Sequence, residues 1–193
     1  ISNGMLQPCQ LQLWKAADTA DVSALQRAIA QGASVYASNR MKWNALHRAC
    51  MTDDVDAVQL VLQAGETELQ SMPTTCGSSL EAPARLIATV DAEGNSALHI
   101  AAGCGHLGVV QHLLRARADA RARKKHGATP MHTCCQTLAE AASPEQIARL
   151  HEVIVALLTA GGLLEDVDEH GKLACMALDI KQRETLLGRI QKG

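Results

Sequence analysis

Eight histidines and seven cysteines are the side chains here with the widest chemical reach, and some lie close together. His132, Cys134 and Cys135 fall within four positions, and Cys104 and His106 stand one residue apart. Structural zinc sites pair their ligands at fixed short spacings, and no such spacing, CxxC included, occurs in this chain. No metal is therefore expected. A Cys–His nucleophilic pair, such as Cys134 near His99, needs a third group to orient the base and donors for an oxyanion, and neither is in evidence. Gly103-Cys104-Gly105 does not follow a strand pattern, so it is no phosphate-cradling loop. Neither catalysis nor a cofactor is expected.

A basic run is more informative. Six Lys or Arg occupy the eleven positions from Arg115 to Lys125. In an extended segment, alternation sends Arg121, Arg123 and Lys125 to one side. Arginine forks there would grip an acidic or phosphorylated partner segment, or they would pair with the chain's own Glu165-Asp166-Val167-Asp168-Glu169. Both readings stay open.

Composition narrows the classes. The formal charge is -2 and the pI about 6.5, which removes electrostatic attraction to nucleic acid or an anionic membrane as a driving force. No apolar run approaches the roughly 18 residues of a membrane span, so no membrane insertion is expected. The first residues lack a signal-peptide pattern and begin at Ile1, so 1–9 reads as an N-terminal extension or a remnant of a longer chain. An odd number of cysteines without a leader reads as reduced thiols in the cytoplasm, with the nucleus as the second choice. Only three aromatics occur, Trp14, Tyr36 and Trp43, against 32 Ala and 24 Leu. That is the interior of thin, closely packed helix layers.

The layers repeat. Gly94 and Ser96-Ala97-Leu98-His99 recur 33 residues later as Gly127 and Thr129-Pro130-Met131-His132. Asn44-Ala45-Leu46-His47 precedes Val58, Val61 and Leu62 at the offsets at which Leu98-His99 precedes Val110, Leu113 and Leu114. A period of about 33 with a Thr-Pro-Leu-His-x-Ala mark resembles the ankyrin repeat. The resemblance implies an all-α fold: an ankyrin-repeat α-solenoid of about five helix-turn-helix units, degenerate caps included, with β-hairpin fingers between units. The units fall at about 10–39, 40–65, 91–123, 124–167 and 168–193, as one domain. In the last, Leu186, Leu187 and Ile190 take the second-helix positions. Glycines such as Gly32, Gly65 and Gly161 are expected to end helices in the left-handed conformation.

Two insertions break the period. Residues 66–90 add 19 between units two and three, where Ser78 and Glu81 match a capping box and Pro83 limits any helix. A second surplus of 11, near 137–147, falls between the helices of unit four. There Ser143-Pro144-Glu145 makes a good helix start, and the helix that follows is expected to run to about Thr159.

The resemblance further implies that His47, His99 and His132 hydrogen-bond within and between turns, and that first helices and fingers line a groove facing a partner. Its variable positions here are Arg40, Met41, Trp43, Met51 and Thr52 in unit two, and Glu93, Asn95 and Cys104 in unit three. Arg121, Arg123 and Lys125 extend the candidate surface. Trp43 flanked by Arg and Met has the composition of a binding hot spot, or it folds onto an adjacent finger. Trp14, in a signature-histidine slot, is expected to serve packing. The function expected is a non-catalytic protein–protein interaction module, monomeric alone. The second reading is a regulatory or targeting part of a larger enzyme, channel or scaffold, and a metal or redox sensor is the third.

Overall fold

Small polar residues set where the helices begin. In the computed structural model, which describes residues 7–71, 82–178 and 180–190, Asp21, Asp54 and Ser143 each accept a hydrogen bond from the backbone N–H three residues on. These contacts satisfy donors that a helix N-terminus otherwise leaves open. They start α2 (Val22–Ala30), α4 (Val55–Gln70) and α9 (Pro144–Thr159). Their hairpin partners are α1 (Pro8–Asp18), α3 (Ala45–Ala49) and α8 (Pro130–Glu140). The central unit pairs α6 (Ala97–Cys104) with α7 (Leu107–Arg115). Gly105, at φ 76°, turns the chain between them.

Two parallel rows of helices result. The first helices α1, α3, α6 and α8 touch in succession and end on a short 3-10 turn, Ala174–Ala177. The second helices α2, α4, α7 and α9 touch in the same order behind them. Leu98, Ala101 and Ala102 of α6 and Val109, Val110 and Leu113 of α7 are buried between the rows. Alanine at the contact faces lets the layers approach closely, and each fully buried Leu or Val contributes about 2 kcal/mol. Trp14 is buried too, and donates its indole N–H to the Ala37 carbonyl at 3.3 Å.

The last unit is reduced to that 3-10 turn followed by α10 (Ile180–Ile190). The side chains of Leu186, Leu187 and Ile190 lie outside the described residues, as does the Ser78–Glu81 capping box.

Three expectations need correction. Gly65 does not end a helix: α4 runs through it to Gln70, and a further helix α5 (Ala82–Ile87) packs back on α4. A Cβ at Gly65 would lie 2.9 Å from Cδ2 of the buried Leu86, so the glycine serves close approach of α5. The extension also carries Glu68, which accepts bonds from the Ser34 hydroxyl and the Val35 N–H.

The surplus in unit four is not a separate insertion between helices. It lengthens both: α8 has 11 residues where α6 has 8, and α9 has 16 where α7 has 9. Ser143 and Pro144 start α9 as expected, and it ends at Thr159.

The fingers, finally, are turns more than hairpins. Among the described residues the only bridges are Val90 with Ser96 and Val167 with Leu173. Each finger closes with two backbone bonds across five residues, at 39–43, 91–95, 124–128 and 168–172. In three of them an Asn39, Asp91 or Asp168 side chain accepts two further N–H bonds from within the turn. A side chain that fills the turn this way substitutes for ladder bonds.

Gly94 carries the sharpest constraint. Its φ is 81°, and a Cβ would lie 2.8 Å from the Lys125 nitrogen of the next finger. Gly171 has a similar φ of 73° with nothing within 4 Å. Gly94→Ala is therefore expected to destabilise by about 2–4 kcal/mol and Gly171→Ala by about 1 kcal/mol, read from urea unfolding. Equal losses would show that the finger contact adds nothing.

Candidate functional site

The candidate surface is built on the fingers, so its geometry begins with what holds them in register. Backbone bonds link each finger to the next: Ala92 N–H to Met41 O at 2.9 Å, Lys125 N–H to Glu93 O at 3.1 Å, and Glu169 N–H to His126 O at 2.9 Å. The signature histidines add a second tie. His99 Nδ1 faces the Ser96 N–H at 3.2 Å and the Ser96 hydroxyl at 2.9 Å. Its Nε2 lies 3.1 Å from the Ala128 carbonyl, in the following finger. A carbonyl only accepts, so Nε2 carries the proton and Nδ1 is the acceptor.

His132 repeats the pattern between Thr129 and the Lys172 carbonyl, at 3.1 Å. His47 lies between Asn44 and the Asn95 carbonyl with longer contacts of 3.5 and 3.3 Å, and its Nδ1 faces the Asn44 amide oxygen, itself an acceptor, at 2.7 Å. Asn44 has no hydroxyl proton to give, and that weakens this clamp.

Burial favours the neutral form of the His47 and His99 rings. It lowers the His47 pKa against the opposing effect of the Asn95 carbonyl, and it takes His99 down to about 4. The cysteines behave as core residues. Burial pushes the Cys135 thiol up to about 12 and raises Cys50 and Cys134 well above the usual thiol range, so none of the three is a ready nucleophile. Among the described residues, no group of three or more His, Cys, Asp or Glu could hold a metal ion.

Around this frame the candidate residues divide. Trp43 is half-buried, and its indole N–H donates to Asp91 Oδ2 at 3.1 Å, in the next finger. The same oxygen accepts from Asn95 Nδ2 at 3.0 Å, while Oδ1 accepts the Glu93 and Asn95 N–H groups at 2.8 Å each. Burial alone would raise the Asp91 pKa, but the bonds from Asn95 and Glu93 outweigh it and hold the carboxyl below its usual range. Asp91 was not among the candidates, although an Asx residue opening a turn that closes with glycine was readable in sequence.

Met41 and Met51 are 54% and 48% exposed. Met51 Sδ lies 4.0 Å from the Cys104 thiol, and its carbonyl accepts from His106 Nε2 at 3.1 Å. Arg40 is exposed at the tip of the first finger, and Thr52 is half-buried, bonded to the Ala49 carbonyl.

Arg121, Arg123 and Lys125 do not share one side. Arg121 makes a fork on Asp166, Nε to Oδ2 at 3.0 Å and Nη2 to Oδ1 at 2.5 Å, with Asp166 only 5% exposed. That hydrogen bond lowers the Asp166 pKa. Arg123 donates to the Val167 and Gly127 carbonyls at 3.0 and 3.2 Å. Lys125 turns the other way, to Glu93 at 3.4 Å. The alternation fails because a 3-10 turn at Lys125–Gly127 interrupts the extended segment. Both arginines thus bind the acidic finger of their own chain.

Helix hairpins stacked in two rows, tied finger to finger by one recurring histidine clamp, define a repeat-built helical solenoid. Models of ankyrin repeats (many copies) match residues 13–62 and 85–134, together just over half of the chain. The chain belongs to the ankyrin-repeat family. It is similar to the human Ankyrin repeat and SOCS box protein 3, 29% identical over 116 residues, and to the bovine protein of that name, 28% identical over 116 residues. Each match covers 60% of this chain and 19% of the relative, so the chain spans about a fifth of those proteins. Ankyrin repeats are generally non-catalytic protein–protein interaction modules. No helix among the described residues is long and apolar enough to cross a membrane.

Acid tests the clamp. His99 in the folded chain stays neutral down to about pH 4, whereas in the unfolded chain it takes up a proton near 6.5. The unfolded state therefore binds more protons between these values. Stability is full above pH 6.5 and falls as the pH drops toward 4, by about 3 kcal/mol for this residue. Urea midpoints measured from pH 7.5 to 4.5 are expected to fall more steeply in the wild type than in His99→Gln, which is weaker at pH 7.5. Parallel curves would remove His99 as the source.

Proposed function

We propose that this chain is a non-catalytic protein-interaction module that seats a partner segment on the fingers and first helices of its second and third units. The observation that carries this reading is the pair Met41 and Met51, two flexible apolar side chains about half exposed on a scaffold whose other large apolar groups in these two units are largely buried. Methionine adapts to a partner's shape, and exposed apolar area beside a fixed ring is the usual composition of an anchor. Trp43 is half-buried and held in a set position by its bond to Asp91, whose same oxygen binds Asn95. Thr52, Cys104 and Glu93 border the same surface.

The partner is read as apolar at its anchor. Arg121, Arg123 and Lys125 serve finger-to-finger cohesion, since each has its partner within the chain. A second reading, a regulatory or targeting segment of a longer protein, is favoured by the relatives, of which the matched region is a fifth.

The test uses a partner captured by affinity pull-down and identified by mass spectrometry. Met41→Ala combined with Met51→Ala is expected to weaken its binding at least tenfold with the circular dichroism unchanged. Trp43→Ala is expected to weaken it and to lower stability together. Arg121→Glu with Arg123→Glu should act on stability and leave the affinity of the folded fraction within twofold. Unchanged affinity in the double methionine variant would sink this placement.

A further inference from the structure

The tips of the four fingers differ in what their charges do. Each tip is the three residues inside a five-residue turn: 40–42, 92–94, 125–127 and 169–171. Glu93 on the second tip pairs with Lys125 on the third at 3.4 Å. Glu169 on the fourth faces His126 at 3.9 Å. The first tip, Arg40-Met41-Lys42, carries two like charges, and all three residues are exposed. Among the described residues neither cation has a side-chain partner. The carboxylate of the adjoining finger is not open to them. Asp91 already accepts from the Trp43 indole, the Glu93 N–H, and the backbone and side-chain nitrogens of Asn95.

These two charges stand on a preset backbone. The Asn39 side chain accepts the Met41 and Trp43 N–H groups at 2.9 and 3.0 Å, and the Met41 carbonyl accepts from Ala92 at 2.9 Å. Little further ordering of the tip is then needed when a partner arrives. Lys42 also sits at φ 58°, where Gly94, Gly127 and Gly171 take φ 81°, 75° and 73° in the other fingers. A residue with a Cβ carries a steric penalty there that glycine avoids.

We propose that the first finger selects a partner segment in which Asp or Glu flanks the apolar residue seated on Met41, with Arg40 and Lys42 receiving those carboxylates. This deepens the docking reading given above and rests on it. Two like charges on one tip with no counter-charge repel one another, and a partner's carboxylates relieve that repulsion. The Arg40 fork suits a carboxylate in its plane, and Lys42 supplies a point charge. Because both are exposed, they act chiefly on the association rate and its salt dependence, whereas the methionines act on the lifetime of the complex. The basic run at 121–125 is spent on neighbouring fingers of its own chain, so recognition of an acidic segment falls to the first finger instead.

The experiment selects a dodecapeptide library displayed on phage against the reduced, immobilised chain, then measures binding of the enriched peptides by biolayer interferometry. The enriched sequences are expected to place Asp or Glu beside an apolar residue. Arg40→Gln combined with Lys42→Gly should slow association about tenfold at about 50 mM NaCl and far less at about 500 mM. The same change is expected to hold or raise the urea midpoint, since glycine is at ease at this φ, which separates loss of binding from loss of fold. Arg115→Gln, exposed at the end of α7, should change neither. Peptides with no acidic bias that still lose affinity in the Met41→Ala, Met51→Ala variant overturn this inference and leave the docking site standing. Acidic peptides whose association is unchanged in the Arg40 and Lys42 variant do the same. Peptides indifferent to both methionines, or no enriched peptide at all, overturn both. Cosedimentation with phosphatidylcholine–phosphatidylserine vesicles that is lost in the Arg40 and Lys42 variant would assign the cations to a membrane and overturn the inference as well.

Discussion

Burial of alanine, leucine and valine is strong but has no direction, so it holds thin helical layers together without deciding how one layer sits on the next. In this chain the deciding contact is an imidazole that is buried, neutral and bonded at both nitrogens. His99 is that ring: it accepts from the start of its own helix and donates to the carbonyl of the next finger, and the half-buried His132 makes the same two bonds one unit on. A lost bond at either end would leave a polar atom buried without a partner, which costs more than the bond contributes. That asymmetry is what sets register. Fingers, turn closure and the row of tip residues all depend on it.

Where the signature departs from the common pattern, the structure compensates nearby. Asn44 replaces the hydroxyl residue and its clamp on His47 is long. The same unit has Lys42 at φ 58°, where its three counterparts are glycine. Trp43 stands beside both, and its bond to Asp91 supplies a direct side-chain tie between the first two fingers. The tie spans the insertion, so finger register here does not rely on the intervening chain. At the other end, Arg121 and Arg123 reach the acidic finger ahead of a terminal unit that has only a 3-10 turn for its first helix.

The polar contacts of the fingers are therefore mostly internal, and this shapes what a partner can use. Charges that are already paired offer little to an incoming segment, since breaking a pair offsets any new one. What is left exposed in the second unit is apolar and adaptable, at Met41 and Met51.

Periodicity alone was enough to read the helix pairs, their order and the residues between the rows, because burial of a stripe is repeated at fixed offsets: Leu98, Ala101, Val109 and Leu113 are buried as their spacing required. The helix start at Ser143-Pro144 was legible too, since capping is local chemistry. Gly65 was misread, because a glycine that admits a neighbouring helix and one that ends its own helix look alike until Leu86 is seen against it. The fate of the basic run was undecidable for the same kind of reason. Whether Arg121 meets Asp166 or a stranger depends on a contact across 45 residues, and Lys125 leaves the group only because a turn rotates it away. Sequence by itself determined the repeat, the layers and the clamp residues. Tertiary structure alone decided which side chains are consumed in holding the fingers and which stay exposed, since pairing between neighbouring turns is a matter of distance and not of order along the chain.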